Sequence, residues 1–249
     1  MYFEPSEVLL DGRPELISFV LGSVAVDDVL AAQRRLIYEL ESTGDIALIL
    51  CEHEPALTIG RSGSYAHIRP DDSDAESLDV QPRFVSRGGG CWLHAPGQVA
   101  GYLIGDIATL ADSAAEYVGT LQSALTETLA DFDVRAISDT SCAGLYVGQK
   151  RIAAVGVSVV RNMAHYGFLL NVGPHLRPFD RLEEPGTDLR VVRQTSMEAV
   201  RARPVAPARL RVCLIERIRE AFRLNSGPTF TDADGLSPLP EVIKTHVSR

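Results

Sequence analysis

Apolar runs of strand length come in consecutive groups in this chain, and helical periodicity falls between the groups. Runs at about 83–86, 91–94 and 98–106 precede a helical stretch over 111–131, and runs at 144–147, 151–160 and 165–172 follow it. Regular strand–helix alternation would build a doubly wound parallel sheet. Grouped strands instead predict an α+β fold, with helices packed on a mixed β-sheet. Further strands are expected at 16–24 and 46–52. Between them Val26, Val29, Leu30, Leu36, Ile37 and Leu40 recur at helical spacing. Asp27 and Asp28 suit the first turn of that helix, over 26–43, and Gly44 ends it. A last helix over 207–223 opens on Pro207, a residue favoured at the first helical position, and buries Leu210, Cys213, Leu214, Ile218 and Ala221. The acidic stretch 69–82 reads as a surface loop. Beyond Asn225 the composition is turn-forming. The chain therefore reads as one domain over 1–224 and a weakly ordered tail over 225–249.

With 249 residues, 45% of them hydrophobic, the chain is long enough for one large core. No apolar run approaches the ~18–20 residues of a membrane-spanning helix, so no membrane association is expected. The first residues lack a basic segment followed by an apolar one, so no secretory signal is read. Cys51, Cys91, Cys142 and Cys213 are scattered, without CxxC. Neither a zinc site nor a disulfide framework is indicated, and a reducing cytoplasm fits. The histidines show no metal-ligand spacing, and no metal is expected. A net charge of −9 disfavours nucleic acid as a partner. The charge is uneven, because residues 177–211 hold eight Arg against five Asp and Glu. That stretch is either a docking patch for an acidic partner or a solvated surface.

The densest chemical signal is VSRGGGCWLHAPGQVAGYLIGDI, residues 85–107. Three glycines after Arg87 let backbone approach a ligand closely, and APGQ after His94 is a tight turn. The run lacks the GxxxxGK[ST] pattern of a phosphate loop. By composition alone it is either a ligand site or a hairpin with glycines at bulges.

Four blocks, EHEPALTIGRSG, RGGG with LHAPGQ and GY, GLYVGQKRIAAVGV, and HYGFLLNVGPHLRPF, occur in that order over roughly residues 17–200. Together they resemble the octanoyltransferase family of lipoate biosynthesis. The resemblance implies a lipoate/biotin protein ligase-like fold with an acyl tunnel at the sheet face. It also implies transfer of octanoyl from acyl carrier protein to a lysine of lipoyl domains, by way of a cysteine thioester. The acceptors would be lipoyl domains of 2-oxoacid dehydrogenase complexes or the glycine cleavage H protein. No cofactor is implied beyond the carrier's phosphopantetheine thioester, which is substrate. Carried over by position, the substrate cradle is Arg87, Gly88, Gly89, Gly90, Cys91, Trp92, Leu93 and His94, then Ala154, Val155 and Gly156, then Gly167, Phe168 and Leu169. Pro96, Gly97 and Gln98 match the family's Pro-Gly-Gln, and Asn171 its Asn. An elongated apolar pocket bordered by 87–94, 151–156 and 165–170 is expected.

The departures from the family pattern gather at the reacting centre. The family's lysine falls on Arg151 and its nucleophilic cysteine on Pro185. Its His-Gly reads Tyr166–Gly167, with His165 one place early, and its Thr-Tyr reads Trp92–Leu93. Arg151 keeps a positive charge but does not deprotonate, so it could favour a thiolate without acting as a base. Cys142, on the loop leading to the strand of Arg151, is either a relocated nucleophile or an inert small hydrophobe. Cys91 should point away from the His94 face if 91–94 is extended. Trp92 either narrows the acyl tunnel or is plain core. His53 and His67, around LTIGRSG, are expected to be structural. Two functions remain open: acyl transfer through a displaced cysteine, and a catalytically inactive paralogue that binds an acylated or lipoylated domain. An ATP-dependent ligase is disfavoured, because that chemistry needs a lysine where Arg151 stands.

Overall fold

A computed structural model describes residues 12–69, 80–139, 144–183 and 192–232. The elements in chain order are β1 (Glu15–Val24), α1 (Val26–Thr43), β2 (Ile46–His53), β3 (Ala56–Ile59), β4 (Arg83–Phe84), β5 (Cys91–His94), β6 (Gln98–Asp106), α2 (Ile107–Leu110), α3 (Ala114–Ala130), β7 (Ile137–Asp139), β8 (Gly144–Val147), β9 (Lys150–Val160), β10 (Met163–Asn171), α4 (Met197–Arg201), α5 (Pro207–Ala221) and β11 (Asn225–Asp232).

Among the described residues, the main sheet runs in the order β11-β1-β2-β6-β10-β9-β8-β7. β1 pairs in parallel with β2 and with β11, and the remaining pairs are antiparallel, so the sheet is mixed. A small sheet, β4-β3-β5, lies apart from it. Both faces of the main sheet are covered, as β2 shows residue by residue. Ile46, Leu48 and Leu50 join the core that holds Leu121 and Leu125 of α3 and Leu214 of α5. Ala47, Ile49 and Cys51 join the core that holds Leu36, Ile37 and Leu40 of α1. The period-2 alternation of a strand sends neighbouring side chains into different cores, which is why this segment is apolar throughout. This is the expected α+β arrangement. No helix among the described residues is long and apolar enough to cross a membrane.

Three local differences from the sequence reading have clear causes. The helix expected from 111 begins instead at Ala114, because Ser113 caps it: its hydroxyl accepts from Glu116 N at 3.1 Å, while Glu116 Oε2 accepts from Asp112 N at 2.9 Å. Residues 225–232, expected to be weakly ordered, form the edge strand β11; the rest of that tail, 233–249, lies outside the described residues. Asn225 begins β11, its N–H donating to Pro14 O and its side-chain amide to Arg13 O, both at 2.9 Å. Phe230 then stacks on Phe19 of β1 with ring centroids 5.5 Å apart, a long-range contact that turn composition does not reveal. The short β3 was also not expected. It exists because it pairs with β5, and four residues carry too little periodicity to announce a strand.

Candidate functional site

The Gly-rich segment 87–90 is a loop tied to its surroundings mostly through backbone. Gly88 N donates to Val157 O at 2.9 Å, which lays the loop on β9. Gly60 N donates to Gly90 O and Arg61 N to Arg87 O, both at 3.0 Å, which fastens it to the end of β3. Arg87 is 1% exposed. Its guanidinium donates to Gly88 O and Gly90 O at 3.0 Å, and to Thr58 O at 3.1 Å and Thr58 Oγ1 at 2.9 Å. Burial draws its pKa down to about 9, so it stays cationic at neutral pH. It also lies over the indole of Trp92, 3.7 Å from the ring centroid. Those contacts hold the cradle together, so Arg87 acts through the shape of the loop.

Strand parity divides β5. Trp92 belongs to the same core as Tyr102, Tyr166 and Leu169, whereas Cys91 and Leu93 pack with Leu57, Ile59, Phe179 and Leu182. The expectation that Cys91 points away from the His94 face follows this division. A cleft opens at the end of β5. Cys91, Trp92 and Leu93 form one wall, Arg151, Ala154 and Leu169 another, and Phe179 and Leu182 close the apolar end. Gln98, Asn171 and Gln194 make its polar end.

All three expected segments therefore border the cleft, but it is neither elongated nor wholly apolar. Its volume is about 20 Å³. Trp92, which lines it, has its ring against Gly156. A Cβ built at Gly156 would stand 2.9 Å from Trp92 Cζ2 and 2.7 Å from Gly88 O. Only glycine permits that approach.

The polar end is braced by amides. Gln98 Nε2 donates to Asn171 Oδ1 at 2.8 Å, Gln98 Oε1 accepts from Ala95 N at 2.8 Å, and Asn171 Nδ2 donates to Thr195 O at 3.0 Å. Arg151 is buried, and its backbone is bracketed by Arg193 O and Thr195 N at 2.9 and 2.8 Å. That bridge fixes the backbone that carries the Arg151 cation at the cleft.

A buried histidine pair lies behind the loop. His53 Nδ1 donates to Val24 O at 2.7 Å, so in the neutral ring Nε2 is the acceptor, and it takes the Tyr102 hydroxyl at 2.6 Å. His94 Nε2 is 3.1 Å from Thr58 Oγ1, while its buried Nδ1 has no hydrogen-bond partner. Desolvation lowers both histidines' pKa values, for His94 well below the ordinary imidazole value, with His53 and Arg87 adding to the effect. His53 thus makes framework contacts, and so does His67, which accepts from Ser64 N at 3.0 Å.

Of the carried-over residues, Cys91, Trp92, Leu93, Ala154 and Leu169 come to the cleft, and Gly88, Gly89, Gly90, Gly156 and Gly167 form its framework. Val155 and Phe168 do not come to it. They face the α3 and α5 side, as the alternation along β9 and β10 dictates. Tyr166, expected at the family's His position, has φ +64° where the pairing of β10 with β6 skips residues 165 and 166, and its N–H donates to Gln33 Oε1 at 2.8 Å. Its hydroxyl is 3.4 Å from Ser86 Oγ. Cys142, Pro185 and Arg190 lie outside the described residues. Arg177, Arg181, Arg193, Arg201 and Arg203 of the Arg-rich stretch, the described members of the expected docking patch with Arg190, do not share one environment. Arg181 and Arg193 flank the cleft region and Arg177 shares the short 3₁₀ turn with Arg181, but Arg203 pairs with Asp133 at 2.6 Å and Arg201 lies over Phe132. Sequence reasoning missed Thr58, Phe179, Leu182 and Gln194. Thr58 and Phe179 lie in the quoted blocks, and Thr58 is the polar residue alternating with Leu57 and Ile59.

Residues 25–217 match the family described as lipoyl protein ligase A/B catalytic domain. The octanoyltransferase of Acidobacterium capsulatum is 34% identical over 195 residues, covering 72% of this chain and 79% of that protein. The octanoyltransferase of Desulfovibrio desulfuricans is 30% identical over 232 residues, covering 92% and 94%. In structure, a lipoate-protein ligase A bound with ATP superposes with a TM-score of 0.70 at 12% identity, covering 95% of both chains. An archaeal bi-partite lipoate protein ligase from Thermoplasma acidophilum, described with its E2 lipoyl domain, gives 0.68 at 14% identity, covering 95% of this chain and 93% of that one. At such identities the two superpositions establish the lipoate/biotin ligase-like fold.

Proposed function

Since the chain belongs to the octanoyltransferase family, we propose that it holds an octanoyl thioester of acyl carrier protein at the cleft and passes the acyl group to a lysine of a lipoyl domain. The observation that carries this reading is the cleft itself. Its polar end, with Arg151, Gln98, Asn171 and Gln194, suits a thioester, and its opposite end, with Leu93, Phe179 and Leu182, suits an alkyl chain.

The transfer has two steps. A cysteine thiolate attacks the thioester carbonyl, a new C–S bond forms, and the pantetheine sulfur leaves and takes up a proton. The neutral lysine amine then attacks the enzyme thioester, an amide forms, the cysteine thiolate leaves, and the amine's surplus proton passes to solvent or to that thiolate. Pro185 stands where the family's cysteine does, so Cys142 is the nucleophile assigned in this reading. Arg151 lowers the energy of a nearby anion but moves no proton. The cytoplasm is the compartment this chemistry fits.

A second reading is favoured by Pro185 and Arg151 together: a paralogue that binds an acylated or lipoylated domain without turnover. Intact mass after incubation with octanoyl-carrier protein separates the two. A covalent octanoyl adduct that vanishes in Cys142→Ser supports transfer. No adduct, with retained binding of a lipoyl domain, establishes the binder.

A further inference from the structure

We propose that Glu52 is a positioning residue for the polar end of the cleft: it holds the turn between β5 and β6 so that the amide of Gln98 meets the carbonyl of an acyl thioester. Glu52 does not itself line the cleft. The inference deepens the acyl-thioester reading above and rests on it.

Strand parity sets this carboxylate apart from the site. In β2, Leu50 joins the core of α3 and α5 and Cys51 the core of α1, so Glu52 returns to the α5 side. There Arg211 of α5 lies 3.6 Å from Glu52 Oε1, with the two side chains 23% and 33% exposed. The other oxygen, Oε2, accepts from Gly97 N at 3.1 Å. One carboxylate thus ties a helix to the turn. Hydrogen bonds to an ionised acceptor are roughly twice as strong as neutral ones, which suits a turn that lies outside the strand ladders.

Gly97 is gripped by its carbonyl as well. Gly97 O accepts from Val172 N at 3.1 Å and from Gly173 N at 2.9 Å, just beyond the end of β10. Gly97 has φ +85°, and a Cβ there would stand 2.8 Å from Gly173 C, so the contact requires glycine. The segment it meets is anchored in turn by Glu198, whose N donates to Val172 O at 2.9 Å and whose Oε1 accepts from Val205 N at 3.0 Å. Gly97 is therefore where β2, the turn and the end of β10 meet. Gln98 follows Gly97 and Asn171 precedes Val172, and these two are the pair joined at 2.8 Å in the cleft. Asn171 leads on through Thr195 to the backbone of Arg151. Gln98 Nε2 spends one of its two N–H groups on Asn171, and the second is the donor that a thioester carbonyl would take. Without the Glu52 acceptor the turn can shift while the strands stay paired, and the loss falls on that donor.

The test is calorimetric binding of two probes to the full chain: octanoyl-pantetheine, a thioester, and S-octyl-pantetheine, a thioether with the same chain carbons and no carbonyl. Unmodified protein should bind the thioester more tightly. Glu52→Ala should lose about tenfold in thioester affinity, the worth of one charge-assisted hydrogen bond, and leave thioether affinity unchanged. Glu52→Gln keeps an acceptor for Gly97 N and should restore most of the preference for the thioester. Glu52→Met also removes the acceptor, and circular dichroism identifies which acceptor-free variant is folded and is read. Equal losses for thioester and thioether overturn the proposal, since a merely structural residue would cost both. A preference that survives removal of the acceptor overturns it as well. So does Glu52→Gln binding as weakly as Glu52→Ala, by making the charge toward Arg211 what matters. Amide exchange of the unmodified chain needs no variant: exchange at Gly97 should slow with the thioester bound and not with the thioether, and equal slowing by both overturns the proposal. No binding of either probe sinks the thioester reading and this role with it, whereas binding of both without preference sinks the role of Glu52 alone.

Discussion

Gly156 lies directly against the indole of Trp92: a methyl group at position 156 would sit 2.9 Å from Trp92 Cζ2 and 2.7 Å from Gly88 O. The glycine that lets the Gly-rich loop rest on β9 is also the one that lets tryptophan fill the space beside it. Gly156→Ala should therefore destabilise by about 1–3 kcal/mol, the usual cost of overpacking. Urea unfolding followed by circular dichroism measures it. In a Trp92→Thr background, Gly156→Ala should cost less than it does in the unmodified chain, since one of the two clashes is relieved. An equal cost in both backgrounds would mean that the Gly88 carbonyl alone sets it.

Restoring the family pair tests decay against remodelling. With the cradle held by Arg87 and Gly156, Pro185→Cys with Arg151→Lys should gain octanoyl transfer to a lipoyl domain, because positioning a thioester beside a nucleophile contributes several kcal/mol on its own. The readout is octanoylated lipoyl domain by mass. If the unmodified protein is already active and Cys142→Ser abolishes that activity, the chemistry has moved and not been lost. A folded, inert double variant would favour the binding reading.

Charge at the cleft margin should steer an acidic carrier despite the net −9. Arg177 and Arg193 are exposed, whereas Arg203 is engaged with Asp133. Carrier-protein binding should weaken markedly between low and physiological salt, because exposed charges are screened beyond roughly 8–10 Å. Arg177→Glu with Arg193→Glu should weaken it at low salt, and Arg203→Glu should not. Titrations at two ionic strengths decide the matter.

The buried histidines give stability a defined pH dependence. His53 and His94 are held neutral, with folded pKa values depressed by burial. Below the unfolded imidazole value of about 6.5, the unfolded chain binds protons that the folded chain refuses. Stability should be full above that pH and fall as pH drops through it, by up to about 1.4 kcal/mol per pH unit for each histidine. Denaturant midpoints at pH 7.5, 6.0 and 5.0 measure the slope. His53→Gln should flatten it, and an unchanged slope would show that His53 takes up its proton in the folded state.

Much of this was legible in the chain itself. The stripe Val29, Leu36, Ile37 and Leu40 specified α1, and the uninterrupted apolar run 46–52 specified a strand covered on both faces, because local periodicity reports which side chains share a surface. The order of the Gly-rich block, the Arg151 strand and the Gly167 strand carried the family and the segments that meet at the cleft. The resemblance also marked positions 92, 151, 166 and 185 as expected departures from the family pattern. What the chain did not reveal is where volume lies. That Trp92 fills the Gly156 side depends on a backbone approach between a loop and β9, and that Leu182 closes the cleft's apolar end depends on its pairing with Ile68, more than a hundred residues away. Val155 and Phe168 were assigned to the site by position, and strand parity turned them to the other core. Periodicity along a strand fixes alternation but not which face meets the ligand; that choice is made by the helices that cover each side of the sheet, and only the packed structure contains it.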